Sequence, residues 1–199
     1  MLLKLLVSIL LVIFLHLNTI TINYQIAPNS ILYLKGNTSI TDYKCDCEDT
    51  FPATKSEISF NSAINQLSFK NAHLSIKSSV FDCHNFIITR NLKHTLKTDK
   101  YPAIDVELLS ATSNNVIEND FQVGKIYSFQ TKALVTITGK TLPQTLVIKL
   151  TKLADNKYKL SSDKGLSMKE YSIVPYVPFN VIKFEDTVTI HFDLFVSEL

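Results

Sequence analysis

From Tyr24 onward, apolar and polar residues alternate in runs separated by turn-forming residues. Tyr127, Phe129, Ala133, Val135 and Ile137 share one face against Ser128, Gln130 and Lys132. Leu146, Ile148 and Leu150 alternate with Val147, Lys149 and Thr151, and Leu74, Ile76 and Val80 oppose His73, Ser75 and Lys77. The cleanest run is the last: Val188, Ile190, Phe192, Leu194 and Val196 against Thr187, Thr189, His191 and Asp193. Successive side chains of a strand point to opposite faces, so this period of two predicts strands with one buried and one wet face, the antiparallel pattern. Turns are expected at Pro28-Asn29, Asn114-Asn115, Gly139-Lys140 and Asp155-Asn156. About eight such strands with short links fit an up-and-down barrel or a sandwich, and alternation alone does not separate the two.

One segment breaks the pattern. Phe81 to Glu107 reads as a strand end, a short helix from Asn85 to Lys97, and a second strand opened by Tyr101-Pro102. Asn85 can accept from the unpaired amides of the first turn. Ile88, Leu92 and Leu96 repeat every fourth residue and form an apolar face, which leaves Asn91, Lys93 and His94 facing out. Pro102 drives Tyr101 into extended geometry and separates the helix from the alternating residues Ile104, Val106 and Leu108. A lone helix in an all-β pattern predicts a plug or lid on a sheet, not one layer of an α/β fold.

The chain of 199 residues is 46% hydrophobic, enough for one core-forming domain. Lys4 precedes an apolar run from Leu5 to Leu15 broken only by Ser8, too short to span a bilayer comfortably and suited to a signal peptide. Processing is expected near Thr21, giving residues 1–21 as signal peptide, 22–199 as the domain, and a periplasmic or secreted location. The formal charge of +2 comes from scattered residues, without the basic stripe that nucleic acid requires.

Export would place Cys45, Cys47 and Cys83 where paired thiols oxidise, leaving one over. Cys45 and Cys47 lie two apart on a strand and point the same way, so they are not expected to bond each other. With His84 the three cysteines could also form a mixed metal or redox site. A disulfide plus a spare thiol needs less, and the Cys-x-x-Cys pairs of structural metal sites are missing. Asp46 and Asp82 read as solvated strand charges, and His73 and His191 as surface residues. No nucleophile elbow, phosphate loop or His-Glu-x-x-His helix occurs, so no enzyme activity, cofactor or metal is expected.

Phe81-Asp82-Cys83-His84-Asn85, Leu96-Lys97 and Tyr101-Pro102-Ala103-Ile104 stand in the order found in a family of small exported lipid-binding proteins. Leu34 to Ser39 with Tyr43-Lys44-Cys45, Leu134 to Thr141, and Met168 to Pro175 with Pro178 and Thr187 to Val196 extend the match over most of the chain. The chain thus resembles the YceI-like family, in its cysteine-bearing variant. Glu170 stands where the family has Asp, and Ser172 where it has Gly.

The resemblance implies an antiparallel lipocalin-like barrel of about eight strands with the helix near one end. It also implies a Cys45–Cys83 disulfide, with Cys47 the next candidate for Cys83. In function it implies non-enzymatic carriage of a polyisoprenoid or isoprenoid quinone. Alternation makes Tyr127, Phe129, Val135, Ile137, Ile148, Val188, Ile190 and Phe192 the expected lining, with Ile88, Leu92 and Leu96 as the plug. The competing expectation is a barrel filled by those same side chains, an exported structural module without ligand, since eight strands is a size at which both outcomes occur. A homodimer is compatible with either.

Overall fold

In the computed structural model, residues 18–113, 121–176 and 183–199 are described. The apolar N-terminal run up to Leu17, the expected Asn114-Asn115 turn and Pro178 lie outside them. The elements are β1 (Asn18–Ile26), β2 (Ile31–Thr38), β3 (Asp42–Cys47), β4 (Thr54–Asn61), β5 (Gln66–Lys70), β6 (His73–Lys77) and β7 (Phe81–Asp82). After these come α1 (Phe86–Leu96), β8 (Ala103–Thr112), β9 (Ile126–Ile137), β10 (Lys140–Ala154), β11 (Lys157–Ser167) and β12 (Phe184–Glu198).

Eight strands close a ring in the order β1-β4-β5-β8-β9-β10-β11-β12, with β12 returning to β1 through Tyr24↔Glu198, Gln25↔Ser197 and Ile26↔Val196. The other four strands come from a fork in the wall. β12 pairs with β2 over Val188 to Asp193 and changes to β1 at Val196. β8 pairs with β6 over Ala103 to Glu107 and changes to β5 at Ser110. One half of the wall is therefore β1, β4 and β5, and the other is β2, β3, β7 and β6. The fold is all-β with one short helix, as the strand pattern and the resemblance implied.

β9 follows the period of two closely: Tyr127, Phe129, Thr131, Ala133, Val135 and Ile137 are buried, while Ile126, Ser128, Gln130 and Lys132 are exposed. Its turn into β10 is Thr138-Gly139, both at positive φ (49° and 77°), the two-residue turn whose twist matches the flanking strands. Lys140 already pairs with Ile137, one residue earlier than the expected Gly139-Lys140 turn. At the N-terminus, Asn18 to Thr21 pair with Phe60 to Glu57. Residues that the sequence pattern assigns to the leader thus contribute to a ring strand.

Helix α1 forms where expected. The Asn85 side chain accepts from the backbone N–H of Ile87 and Ile88 at 3.0 and 3.2 Å. At the other end Lys97 is left-handed (φ 52°), and the N–H groups of Lys97 and Thr98 donate to the carbonyls of His94 and Lys93, a Schellman stop. Leu96 is buried, and the half-buried Ile88 and Leu92 pack against the core of Leu34, Ile76, Phe81, Ile104 and Ile137. Cys45 and Cys83 are disulfide-bonded within this core, and Cys47 is a free thiol. That bond ties β3 to the segment leading into the helix, where β3 and β7 share the pairs Asp46↔Asp82 and Cys47↔Phe81.

Candidate functional site

Two hollows stand out among the described residues, one at the barrel mouth and one within the ring. The outer one, of about 370 Å3, sits between α1 and the barrel mouth, walled by Tyr43, Phe184, Val188 and the chain from Met168 to Tyr176. The inner one, of about 210 Å3, lies within the ring among Ile22, Ile58, Leu74, Val135, Leu160 and Leu194. Ile104, Leu166 and Ile190 belong to both walls, so the two volumes adjoin across these three side chains.

The helix supplies two rows to the outer wall. Ile88, Leu92 and Leu96 form the expected apolar face, and Ile87, Asn91 and Thr95 form a second row at the same spacing. Asn91 therefore does not face out as the helical pattern predicted. The helix lies across a mouth, so a flank that would meet solvent on a surface helix here meets a hollow. Lys93 is half-buried, while His94 is exposed and lies against the Tyr176 ring at 5.1 Å.

Of the eight expected lining residues, Ile137 and Val188 border the outer cavity, Val135, Ile148 and Phe192 the inner one, and Ile190 both. Tyr127 and Phe129 also point inward and are buried, but they border neither cavity. They pack with Ala111 and with Phe121, whose ring meets theirs edge-on at 4.8 and 6.4 Å. β9 is long enough to run past the hollow into a filled end of the barrel.

Tyr43 was not among the expected lining residues. It pairs with Gly36, and a Cβ at Gly36 would collide with the Tyr43 ring, so the glycine lets that ring lie flat over β2 into the outer cavity. Phe184 meets it edge-on at 5.9 Å. Burial pushes the Tyr43 phenol above its ordinary pKa, so its hydroxyl stays protonated.

Among the described residues no charged side chain borders the outer cavity. Its Ser and Thr hydroxyls are satisfied within the chain. Thr38 and Thr41 donate to the carbonyls of Thr41 and Asp42, Ser167 donates to Asp186 at 2.6 Å, and Thr95 accepts from the Tyr176 N–H at 2.8 Å. The Tyr171 hydroxyl accepts from Gln144 at 3.3 Å. Two groups differ. The Asn91 Oδ1 is buried without a hydrogen-bond partner, and the Tyr43 hydroxyl makes no hydrogen bond among the described residues.

The cysteine cluster stands apart from this chemistry. Two of its sulfurs are consumed in the disulfide, and burial raises the Cys47 thiol to about 11, which keeps it protonated and unreactive at neutral pH. His84 instead holds Asp46 at 2.7 Å, and this hydrogen bond raises the imidazole pKa. Burial works to raise Asp46, but hydrogen bonds from His84 and Lys44 outweigh it and leave the carboxyl lowered. Asp82 accepts from the His84 N–H and the Thr89 hydroxyl, which lowers it. Neither aspartate is the bare solvated charge that sequence suggested. His191 lies at the surface but is partly covered, stacked on Tyr33 at 4.5 Å and held by the exposed Asp163 at 2.9 Å.

The fold is the lipocalin-like one seen in a polyisoprenoid-binding domain from Saccharophagus degradans, with a TM-score of 0.65 at 12% identity over 89% of this chain and 99% of that one. BcnA from Burkholderia cenocepacia matches with a TM-score of 0.58 at 13% identity over 84% of this chain and 96% of that one. A YceI protein from Campylobacter jejuni superposes more loosely, with a TM-score of 0.45 at 14% identity over 71% of this chain and 78% of that one. No protein-family model matches the sequence, and no well-characterised protein sequence matches it significantly. At these identities the likeness to the Saccharophagus degradans domain and to BcnA is one of fold.

Proposed function

We propose that this chain is an exported, non-enzymatic carrier of a long apolar lipid, a polyisoprenoid or isoprenoid quinone, housed in the two adjoining cavities. The observation that carries the reading is that the two apolar hollows adjoin across Ile104, Leu166 and Ile190, so a long tail that displaces these side chains could reach from the helix to the ring interior. A closed core, the competing expectation, would fill that space with side chains. Each buried methylene gains roughly 0.8 kcal/mol, so ten gain about 8 kcal/mol, within the ~4–15 kcal/mol entropic cost of association. Short apolar molecules fall below that cost and long ones exceed it, so length itself selects the ligand. The polyisoprenoid binding named for the Saccharophagus degradans domain of the same fold supports the assignment.

Mass spectrometry of an organic extract of the protein, purified from a host with isoprenoid-containing membranes, tests it. A long isoprenoid recovered near one equivalent is the expected result. A lipid-free protein that also takes up none from added vesicles would overturn the carrier reading.

A further inference from the structure

Buried polar groups in folded proteins are almost always paired, so the unpaired Asn91 Oδ1, with the unbonded Tyr43 hydroxyl on the same wall, points to what is meant to meet it. Resting on the carrier reading above, we propose that the outer cavity selects a lipid with an uncharged, hydroxyl-bearing head, held between Asn91 and Tyr43, while its tail runs into the inner cavity. A hydroxyl can both donate and accept. It can give its proton to the buried Asn91 Oδ1 and receive one from the Tyr43 phenol, and it serves the amide whichever way that group is turned.

With the amide oriented as observed, a quinone carbonyl only accepts and would leave the Asn91 oxygen unmet. A phosphate or carboxylate would bring its charge against a wall with no cation among its described residues, where an unpaired ion is far costlier than a neutral group. Among the described residues the one lysine bordering either hollow is Lys164, half-buried on the inward face of β11 beside Ile190 and next to the inner cavity. An anionic head would have to travel past the three shared residues to reach it.

The test compares geranylgeraniol, geranylgeranyl phosphate and the headless hydrocarbon phytane, each titrated into delipidated full-length mature protein. The alcohol is expected to bind about tenfold more tightly than phytane, the worth of one or two net hydrogen bonds, and more tightly than the phosphate. Asn91→Leu is expected to abolish the advantage of the alcohol over phytane, and a melting curve like the parent's shows that the variant is folded. Tyr43→Phe removes part of that advantage. Equal or tighter binding of the phosphate overturns the proposal, and loss of that binding in Lys164→Met would place the head in the inner cavity instead. An alcohol preference that survives Asn91→Leu overturns it too. Binding of none of the three probes would sink the carrier reading itself, an outcome distinct from equal binding of all three, which leaves the carrier and removes the head selectivity.

Discussion

Val135→Trp separates a hollow barrel from a filled one. Val135 is buried at 3% exposure on β9, paired with Leu142 on one side and Val106 on the other, and its side chain borders the inner cavity of about 210 Å3. In a close-packed core an indole in place of an isopropyl group forces neighbours from their rotamers, at a cost of about 1–3 kcal/mol. For a domain of this length that lowers the melting temperature by roughly 2–12 °C. Beside an empty volume the ring has somewhere to go, and the lipid-free variant is expected to melt within about 2 °C of the parent. Ligand binding responds the other way. Lipid at a hundred times its dissociation constant stabilises the parent by about 2.7 kcal/mol, a rise of roughly 5–11 °C that the variant should lose because the indole occupies the tail's path. Melting curves with and without added geranylgeraniol, paired with extracted-lipid analysis of the same samples, read both effects. A lipid-free variant that melts many degrees lower, or a parent whose melting ignores lipid, would refute the reasoning.

Four further outcomes follow from the geometry. Cys83→Ala opens a covalent loop spanning 38 residues and is expected to cost about 4 kcal/mol by loop entropy, read by denaturant unfolding; an unchanged midpoint would show that β3 and α1 are held without the bond. Leu92→Asp sets a charge among Leu34, Ile104 and Leu96 and is expected to cost about 2–4 kcal/mol, against at most about 0.5 kcal/mol for Lys93→Gln, so equal melting temperatures would mean the helix does not pack as described. Lys97→Gly, at the left-handed stop of α1, is expected to stabilise by about 1 kcal/mol, and a lower melting temperature would contradict the assigned backbone. His84 is expected to titrate above the usual imidazole value in NMR and to fall back in Asp46→Asn. Because its folded pKa is raised and that of Asp46 lowered, the pair's stabilisation is whole between the carboxylate and unfolded imidazole values. It is lost as pH rises through the folded His84 pKa or falls through that of Asp46.

Much of the fold was legible because strands announce themselves locally. The alternation of Tyr127 to Ile137 and of Val188 to Val196 reports which side each residue faces. The Asn85 cap and the Ile88, Leu92, Leu96 row report a helix with one buried face. What alternation does not carry is who lies beside whom, so the exchange of β2 for β1 along β12, and of β6 for β5 along β8, was not readable. For the same reason Tyr127 and Phe129 could not be told from Val135. All three face inward, and only the neighbours across the ring decide whether they meet Phe121 or a hollow. Asn91 was misplaced because periodicity describes a helix on a flat surface, whereas α1 spans an opening and shows both flanks to it. The usable clue for the outer site was Gly36, a glycine in a strand otherwise rich in large side chains, which marks a close approach by a neighbour that proved to be Tyr43.

The forked wall also bears on how the protein behaves at high concentration. An unpaired strand flank offers its N–H and C=O groups to any passing chain and seeds edge-to-edge assembly. Here the longest strands, β8 to β12, have neighbours on both sides because the ring closes on itself. Among the described residues the flanks left open by the fork belong to short strands. β7 has two residues, β6 has five and carries His73 and Lys77, and β3 alternates Asp42, Lys44 and Asp46. A twelve-stranded sheet thus hides most of its adhesive backbone, and what remains is brief and charged, which should keep concentrated solutions free of strand-mediated polymerisation.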